Sequence, residues 1–194
     1  MTIFTKNYNE DYFIMTNILD SIDFYSGSDR RRMMTENGVK HPHKNDGGSM
    51  LYGLTWRGFL TKEKNRTKIA EGVYCTKITD DEPDLDEVFK EFASIYFPDF
   101  DWGQVQMNKN FPCPPHLDSS NVGESMLCTF GDYTGGASCR FIENKIVKQI
   151  EREPLKFNGS NILHWVEPFK GIRYSLVFFH NKTSRHYKNN IVLL

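Results

Sequence analysis

The apolar positions change their period partway along the chain. Leu85, Val88, Phe89, Phe92, Ala93, Tyr96 and Phe97 recur at helical spacing, with Pro83 suited to the first turn, acidic residues at that end, and Pro98 stopping the run. This pattern predicts an amphipathic helix whose aromatic stripe packs on a sheet. From Gln104 onward the period shortens to two, in segments broken by turn residues. The predicted strands are Gln104–Asn108, Ser125–Phe130, Ala137–Glu143, Ile146–Ile150, Pro154–Phe157, Ile162–Val166 and Ile172–His180. Gly131-Asp132, Gly135-Gly136, Glu143-Asn144-Lys145, Asn158-Gly159 and Lys170-Gly171 read as the turns between them. Short strands with no helix among them predict a mostly β fold with flanking helices, a jelly roll or barrel open at one mouth.

The first half is less regular. Met50-Leu51-Tyr52 and Val73-Tyr74-Cys75-Thr76 read as strands, separated by the charged run Lys62-Glu63-Lys64-Asn65-Arg66. Residues 27–48 are polar and rich in turn dipeptides, among them Asn37-Gly38, His41-Pro42 and Asp46-Gly47-Gly48. A loop of that length in a compact domain usually serves as a lid or binding loop. At 194 residues, 39% hydrophobic and 25% charged, the chain suits one domain over 1–194. Within it, residues 1–100 are expected to form the flanking elements and 101–182 the β core.

Charge and cysteine content exclude some classes. A net charge of −1 gives no overall pull toward nucleic acid or membrane, so either partner needs a local patch. Cys75, Cys113, Cys128 and Cys139 form no C-x-x-C pair and are too scattered for a disulfide framework, which points to a reducing, intracellular location, cytoplasmic or nuclear. The N-terminus lacks the apolar core of a signal peptide, and no stretch is long enough to span a bilayer. Abundant asparagine and lysine suit an AT-rich genome, as in a phage, a large virus or a protist.

The candidate chemistry begins at Cys113-Pro114-Pro115-His116-Leu117-Asp118. Alternate residues of an extended segment share a face, so His116 and Asp118 can meet one ion. His164, in a late predicted strand, supplies a second imidazole. Two histidines and one carboxylate bind one face of an octahedral Fe(II) and leave positions open for ligands, whereas a structural zinc site closes four, usually with thiolates. Arg173 and Ser175 follow on the next strand. A guanidinium there can grip a carboxylate through two parallel hydrogen bonds, with the hydroxyl on the same side. The apolar run Leu176-Val177-Phe178-Phe179 makes that strand a buried one, where an unpaired arginine is costly. His41, His43, His180 and His186 are read as bystanders.

The order H-x-D, distal His, R-x-S resembles the 2-oxoglutarate and Fe(II)-dependent dioxygenase superfamily, whose core is a double-stranded β-helix (jelly roll, cupin-like). Between Gln106 and Phe179, the strings Asn108-Lys109-Asn110, Cys113 to Asp118, Asn121-Val122-Gly123, Phe130-Gly131-Asp132-Tyr133 and Gly135-Gly136 resemble its TET and JBP branch, whose members oxidise the methyl group of 5-methylcytosine or thymine in DNA. The resemblance implies Fe(II) on His116, Asp118 and His164, and 2-oxoglutarate on Arg173 and Ser175 with Asn108 near it. Dioxygen is then the other co-substrate. It extends to none of the first hundred residues, and the cysteine-rich region of animal TET enzymes has no counterpart here. DNA is the partner it suggests, and Arg30, Arg31, Arg32, Lys40 and Lys44, with Glu36 as counter-charge, are the candidate phosphate contacts. Two other readings stand beside it. One is a hydroxylase of a protein side chain, such as proline, or of a small molecule. The other is a jelly-roll binding module whose H-x-D pair is accidental. The oligomeric state is not encoded in any of these features.

Overall fold

The structure, a computed structural model, describes residues 2–26, 31, 34–36, 38, 40, 42, 46–57, 60–61, 68–69, 72–149 and 152–182. Its helices are α1 (Tyr8–Asp20), α2 (Lys77–Asp81) and α3 (Leu85–Tyr96). Its strands are β1 (Gly48–Arg57), β2 (Leu60–Thr61), β3 (Lys68–Ile69), β4 (Gly72–Cys75), β5 (Gln104–Lys109), β6 (Ser125–Phe130), β7 (Tyr133–Gly135), β8 (Ser138–Ile142), β9 (Lys145–Gln149), β10 (Leu155–Phe157), β11 (His164–Val166), β12 (Phe169–Gly171) and β13 (Tyr174–Phe179).

Six strands form an antiparallel sheet in the order β10-β6-β13-β5-β1-β4. The order β11-β8-β9 makes a second sheet, extended by an isolated bridge between His116 and His164. Two sheets facing across a cavity, with flanking helices, form a double-stranded β-helix, the mostly β architecture expected.

Period-two alternation sorts the large sheet into two faces. Val105 and Met107 of β5, Met126, Cys128 and Phe130 of β6, and Tyr174, Leu176 and Phe178 of β13 turn to one side and join the core. There they meet Tyr12, Met15 and Leu19 of α1 and Val88, Phe89 and Phe92 of α3. Phe89 stands edge-on to Phe178 at 5.8 Å between centroids, and Phe92 to Phe130 at 5.6 Å. The intervening residues Gln106, Asn108, Leu127, Ser175 and Val177 turn the other way and line the cavity. One strand thus contributes both to stability and to the site.

Some local readings require correction. The expected strand at Met50–Tyr52 is a ten-residue strand, because β1 pairs with β5 on one side and β4 on the other. The glycine-rich pieces read only as turns contain β7 and β12, which pair with each other. Three-residue strands carry too little alternation to stand out. Residues 27–48 are not wholly irregular, since Met34 is helical and fully buried, although most of that stretch lies outside the described residues. No helix among the described residues is long and apolar enough to cross a membrane.

Candidate active site

The segment before β6 runs extended through His116, which pairs with His164 across two backbone hydrogen bonds of 3.0 and 3.1 Å. Directly opposed residues in an antiparallel pair point to the same face, so the two rings stand together, 4.2 Å between centroids. Asp118, two residues after His116, shares that face. Its amide donates to the Gly159 carbonyl at 2.9 Å, which ties the segment carrying the carboxylate to the turn preceding β11. The ligand atoms of His116, Asp118 and His164 all lie within 4.8 Å of one another.

The ring orientations follow from their hydrogen bonds. His116 Nδ1 lies 2.9 Å from the Pro114 carbonyl and His164 Nδ1 lies 2.8 Å from the Ile162 carbonyl. A carbonyl only accepts, so each Nδ1 carries a proton and Nε2 is the nitrogen left to meet a metal. Both Nε2 atoms face Asp118, one 3.5 Å from Oδ1 and the other 3.5 Å from Oδ2. Burial opposes charge on the His116 ring, but Asp118 and Cys113 beside it outweigh burial and raise its pKa to about 10. Burial likewise opposes charge on Asp118, yet the two histidines hold its carboxyl well below the usual range. The same donor set suits a divalent cation, which displaces that proton. A Cβ on residue 159 would sit 3.0 Å from Asp118 Oδ2 and 3.4 Å from His164 Cε1, so glycine there leaves room for the triad.

Arg173 occupies another part of the same cavity, only 3% exposed. Asn110 clamps its backbone, with Asn110 Oδ1 accepting from Arg173 N and Asn110 N donating to Arg173 O, both at 2.8 Å. Its guanidinium carbon stacks over Tyr133 at 5.5 Å and Phe169 at 5.8 Å. Gly136 lies alongside at φ +69°, and a Cβ on it would press on Arg173 Cδ at 3.0 Å. Nε and Nη2 of Arg173 are buried without a hydrogen-bond partner. Buried donors are rarely left so, and a guanidinium least of all. Ser175 Oγ lies on the same side, accepting from Asn108 Nδ2 at 3.1 Å, while Asn108 Oδ1 accepts from Ser49 Oγ at 2.7 Å. A cavity of about 100 Å³ lies among these groups, with Phe111, Leu127, Leu155, Val166 and Val177 as its apolar wall. The three ligands and the orphaned guanidinium fit a ferrous ion with a short dicarboxylate.

All six residues singled out for metal and co-substrate, His116, Asp118, His164, Arg173, Ser175 and Asn108, line this one cavity. Of the basic candidates, the two described residues, Arg31 and Lys40, are not among those lining it. Arg31 and Lys40 are exposed, and Arg31 donates from Nε and Nη2 to the Ser26 carbonyl at 3.0 and 2.8 Å. Arg30, Arg32 and Lys44 lie outside the described residues, as do His41, His43 and His186. His180 pairs with Asp101 at 3.1 Å, away from the triad. Cavity-lining residues that sequence reasoning gave no role include Cys113, with Sγ 3.5 Å from His116 Nδ1, Asn121, with Nδ2 3.3 Å from Asp118 Oδ2, and Arg140. Asn121 stands within the quoted strings. Arg140 had no signal beyond a place on a predicted strand.

No protein-family profile matches the sequence, and no curated protein matches it. Among solved structures, the chain is similar to NgTET1 in complex with 5mC DNA, with a TM-score of 0.50 and 17% identity over 87% of this chain and 69% of that one. It also aligns with a 2OG-Fe(II) oxygenase family oxidoreductase from Burkholderia pseudomallei, with a TM-score of 0.40 and 18% identity over 56% of this chain and 62% of that one. A prolyl-4-hydroxylase from Pseudomonas putida gives 0.35 and 16%, over 50% and 61% respectively. The likeness to NgTET1 extends over most of the chain and is one of fold, the double-stranded β-helix described above.

Proposed function

We propose that the protein is an Fe(II)- and 2-oxoglutarate-dependent dioxygenase that hydroxylates the C5 methyl group of a pyrimidine, 5-methylcytosine or thymine, in nucleic acid. One observation carries the oxygenase reading: two histidine Nε2 atoms and a carboxylate converge on a cavity that also holds a buried guanidinium with two unpartnered nitrogens. His116, Asp118 and His164 would hold the metal. Arg173 would grip the distal carboxylate of 2-oxoglutarate, with Ser175 as a further donor and Asn108 orienting it. Iron with its co-substrate would supply, when bound, the activation of dioxygen needed to oxidise a methyl C–H bond.

The chain's own residues do the rest. The Pro114 and Ile162 carbonyls hold each Nδ1 protonated, so both imidazoles would meet the metal through Nε2. The aromatic rings of Tyr133 and Phe169 hold the Arg173 guanidinium in place before a ligand arrives. The apolar wall excludes water from the reacting carbon.

The TET-like strings and the shared fold support the pyrimidine substrate, with Arg30, Arg31, Arg32, Lys40 and Lys44 as the proposed phosphate contacts. The test is direct. Purified protein is incubated with Fe(II), 2-oxoglutarate and methylated or plain DNA, which is then digested to nucleosides. The expected outcome is a 5-hydroxymethyl product with matching succinate. Succinate released on a protein or small-molecule substrate, with DNA untouched, would replace this substrate by the hydroxylase alternative.

A further inference from the structure

The cavity contains a second guanidinium besides the one proposed to hold the co-substrate. Arg140 lies on β8 directly opposite His164 of β11, with Val147 of β9 as its other cross-strand neighbour. Opposed residues share a face, so Arg140 and the metal-facing imidazole extend to the same side of the small sheet, and Arg140 lines the cavity. It is only partly exposed, and its Nε is buried without a hydrogen-bond partner. No carboxylate among the described residues pairs with it.

The charge balance of the cavity shows what is missing. With both histidines neutral on a metal, two arginines against Asp118 leave the wall with one positive charge. A ferrous ion adds two and 2-oxoglutarate removes two, so one positive charge remains with both bound. Arg173, almost wholly buried, accounts for the distal carboxylate, and the other end of the diacid belongs to the metal. The remaining charge is therefore at Arg140, beside the ligand His164 and in contact with solvent. An anionic group arriving with the substrate would neutralise it. A phosphodiester fits, because a guanidinium fork meets two phosphate oxygens at once and a monoanion cancels the residual charge.

We infer that Arg140 binds a backbone phosphate next to the target nucleotide and so fixes the pyrimidine methyl group over the metal. The inference rests on the pyrimidine reading above, and makes Arg140 a specificity-determining residue of the site. A base rotated out of a helix carries its own phosphates to the cavity rim, where a cation close to the metal can set its depth.

The experiment compares wild type with R140Q and R140K, each loaded with Fe(II) and 2-oxoglutarate without dioxygen. Affinity for a labelled duplex bearing one 5-methylcytosine is read by fluorescence anisotropy across a salt series. R140Q is expected to bind about tenfold more weakly, with the salt slope reduced by about one, and R140K to recover part of the loss. Neutral methylphosphonates are then placed one at a time around the methylcytosine. One position should weaken wild type and leave R140Q no weaker, while calorimetry gives the three proteins the same 2-oxoglutarate affinity. Equal response of wild type and R140Q to every neutral linkage, or a loss of 2-oxoglutarate affinity in R140Q, would overturn the assignment. Failure of the pyrimidine reading looks different: wild type itself then yields no 5-hydroxymethyl product, and Arg140 loses its proposed ligand along with it.

Discussion

A buried arginine with two unpartnered nitrogens separates binding from stability at the scale of one residue. If Arg173 holds the co-substrate as proposed, replacing it by glutamine removes the carboxylate fork, so KM for 2-oxoglutarate should rise about 100-fold, with a smaller fall in kcat at saturating co-substrate. Steady-state succinate release checks this. The folded protein should react in the opposite direction. Nε and Nη2 are desolvated without compensation, so R173M, which keeps the stem over Tyr133 and Phe169, should be as stable as wild type or about 1–3 kcal/mol more stable in urea unfolding without ligands. A loss of stability would show that the guanidinium is satisfied by the fold alone. Much of this site can be read from the sequence. The H-x-D spacing places two ligands on one face, and the apolar run after Arg173 marks a buried strand. Arg140 escapes such reading because its significance comes from a cross-strand neighbour, His164, which only the register of β8 and β11 brings beside it.

At the scale of elements, the helix layer depends on one acid. Asp11 of α1 is buried, and its carboxylate accepts from Thr5 N at 2.6 Å, Thr5 Oγ at 2.9 Å, Lys6 N at 3.0 Å and Tyr96 Oη at 2.6 Å. It therefore joins the N-terminal segment, α1 and the end of α3. Burial pushes its pKa up, but the bonds from Tyr96, Thr5 and Lys6 prevail, leaving it below the ordinary 3.8. A carboxyl whose pKa is lower folded than unfolded stabilises the fold above 3.8, and that contribution is lost as the pH falls below it toward the folded value. D11N should thus cost about 1–3 kcal/mol at neutral pH, and its difference from wild type in urea unfolding should shrink below pH 3.8. Phe92 of α3 is wholly buried against Phe4, Tyr96, Phe97 and Phe130, so F92A should cost about 3–5 kcal/mol in the same assay. The stripe of α3 is evident in the sequence because seven apolar residues keep its period. Helix α1 is not, because its buried face includes Asp11 and Tyr12, whose place inside depends on partners far along the chain, Tyr96 and the Gly131 carbonyl.

For the whole molecule, metal and co-substrate become part of the folding equilibrium. The triad bridges the segment before β6 to β11 and the proposed carboxylate clamp, Arg173 and Ser175, stands at β13, so a ligand touching all of them would resist separation of the two sheets. A ligand that binds only the folded chain adds about 2.7 kcal/mol at one hundred times its dissociation constant, and a chain of this size gains about 2–4 °C in Tm per kcal/mol. Fe(II) alone, added without dioxygen, should raise Tm, and 2-oxoglutarate should raise it further only when the metal is present. D118A should lose both increments, since one carboxylate meets both histidines. R173Q should keep the metal increment and lose most of the second. The two variants thus divide the site into a metal half and a diacid half, which differential scanning calorimetry can read without turnover. If R173Q kept the full 2-oxoglutarate increment, the orphaned guanidinium would have another ligand, and the assignment of the cavity to a dicarboxylate would fail even with the iron in place.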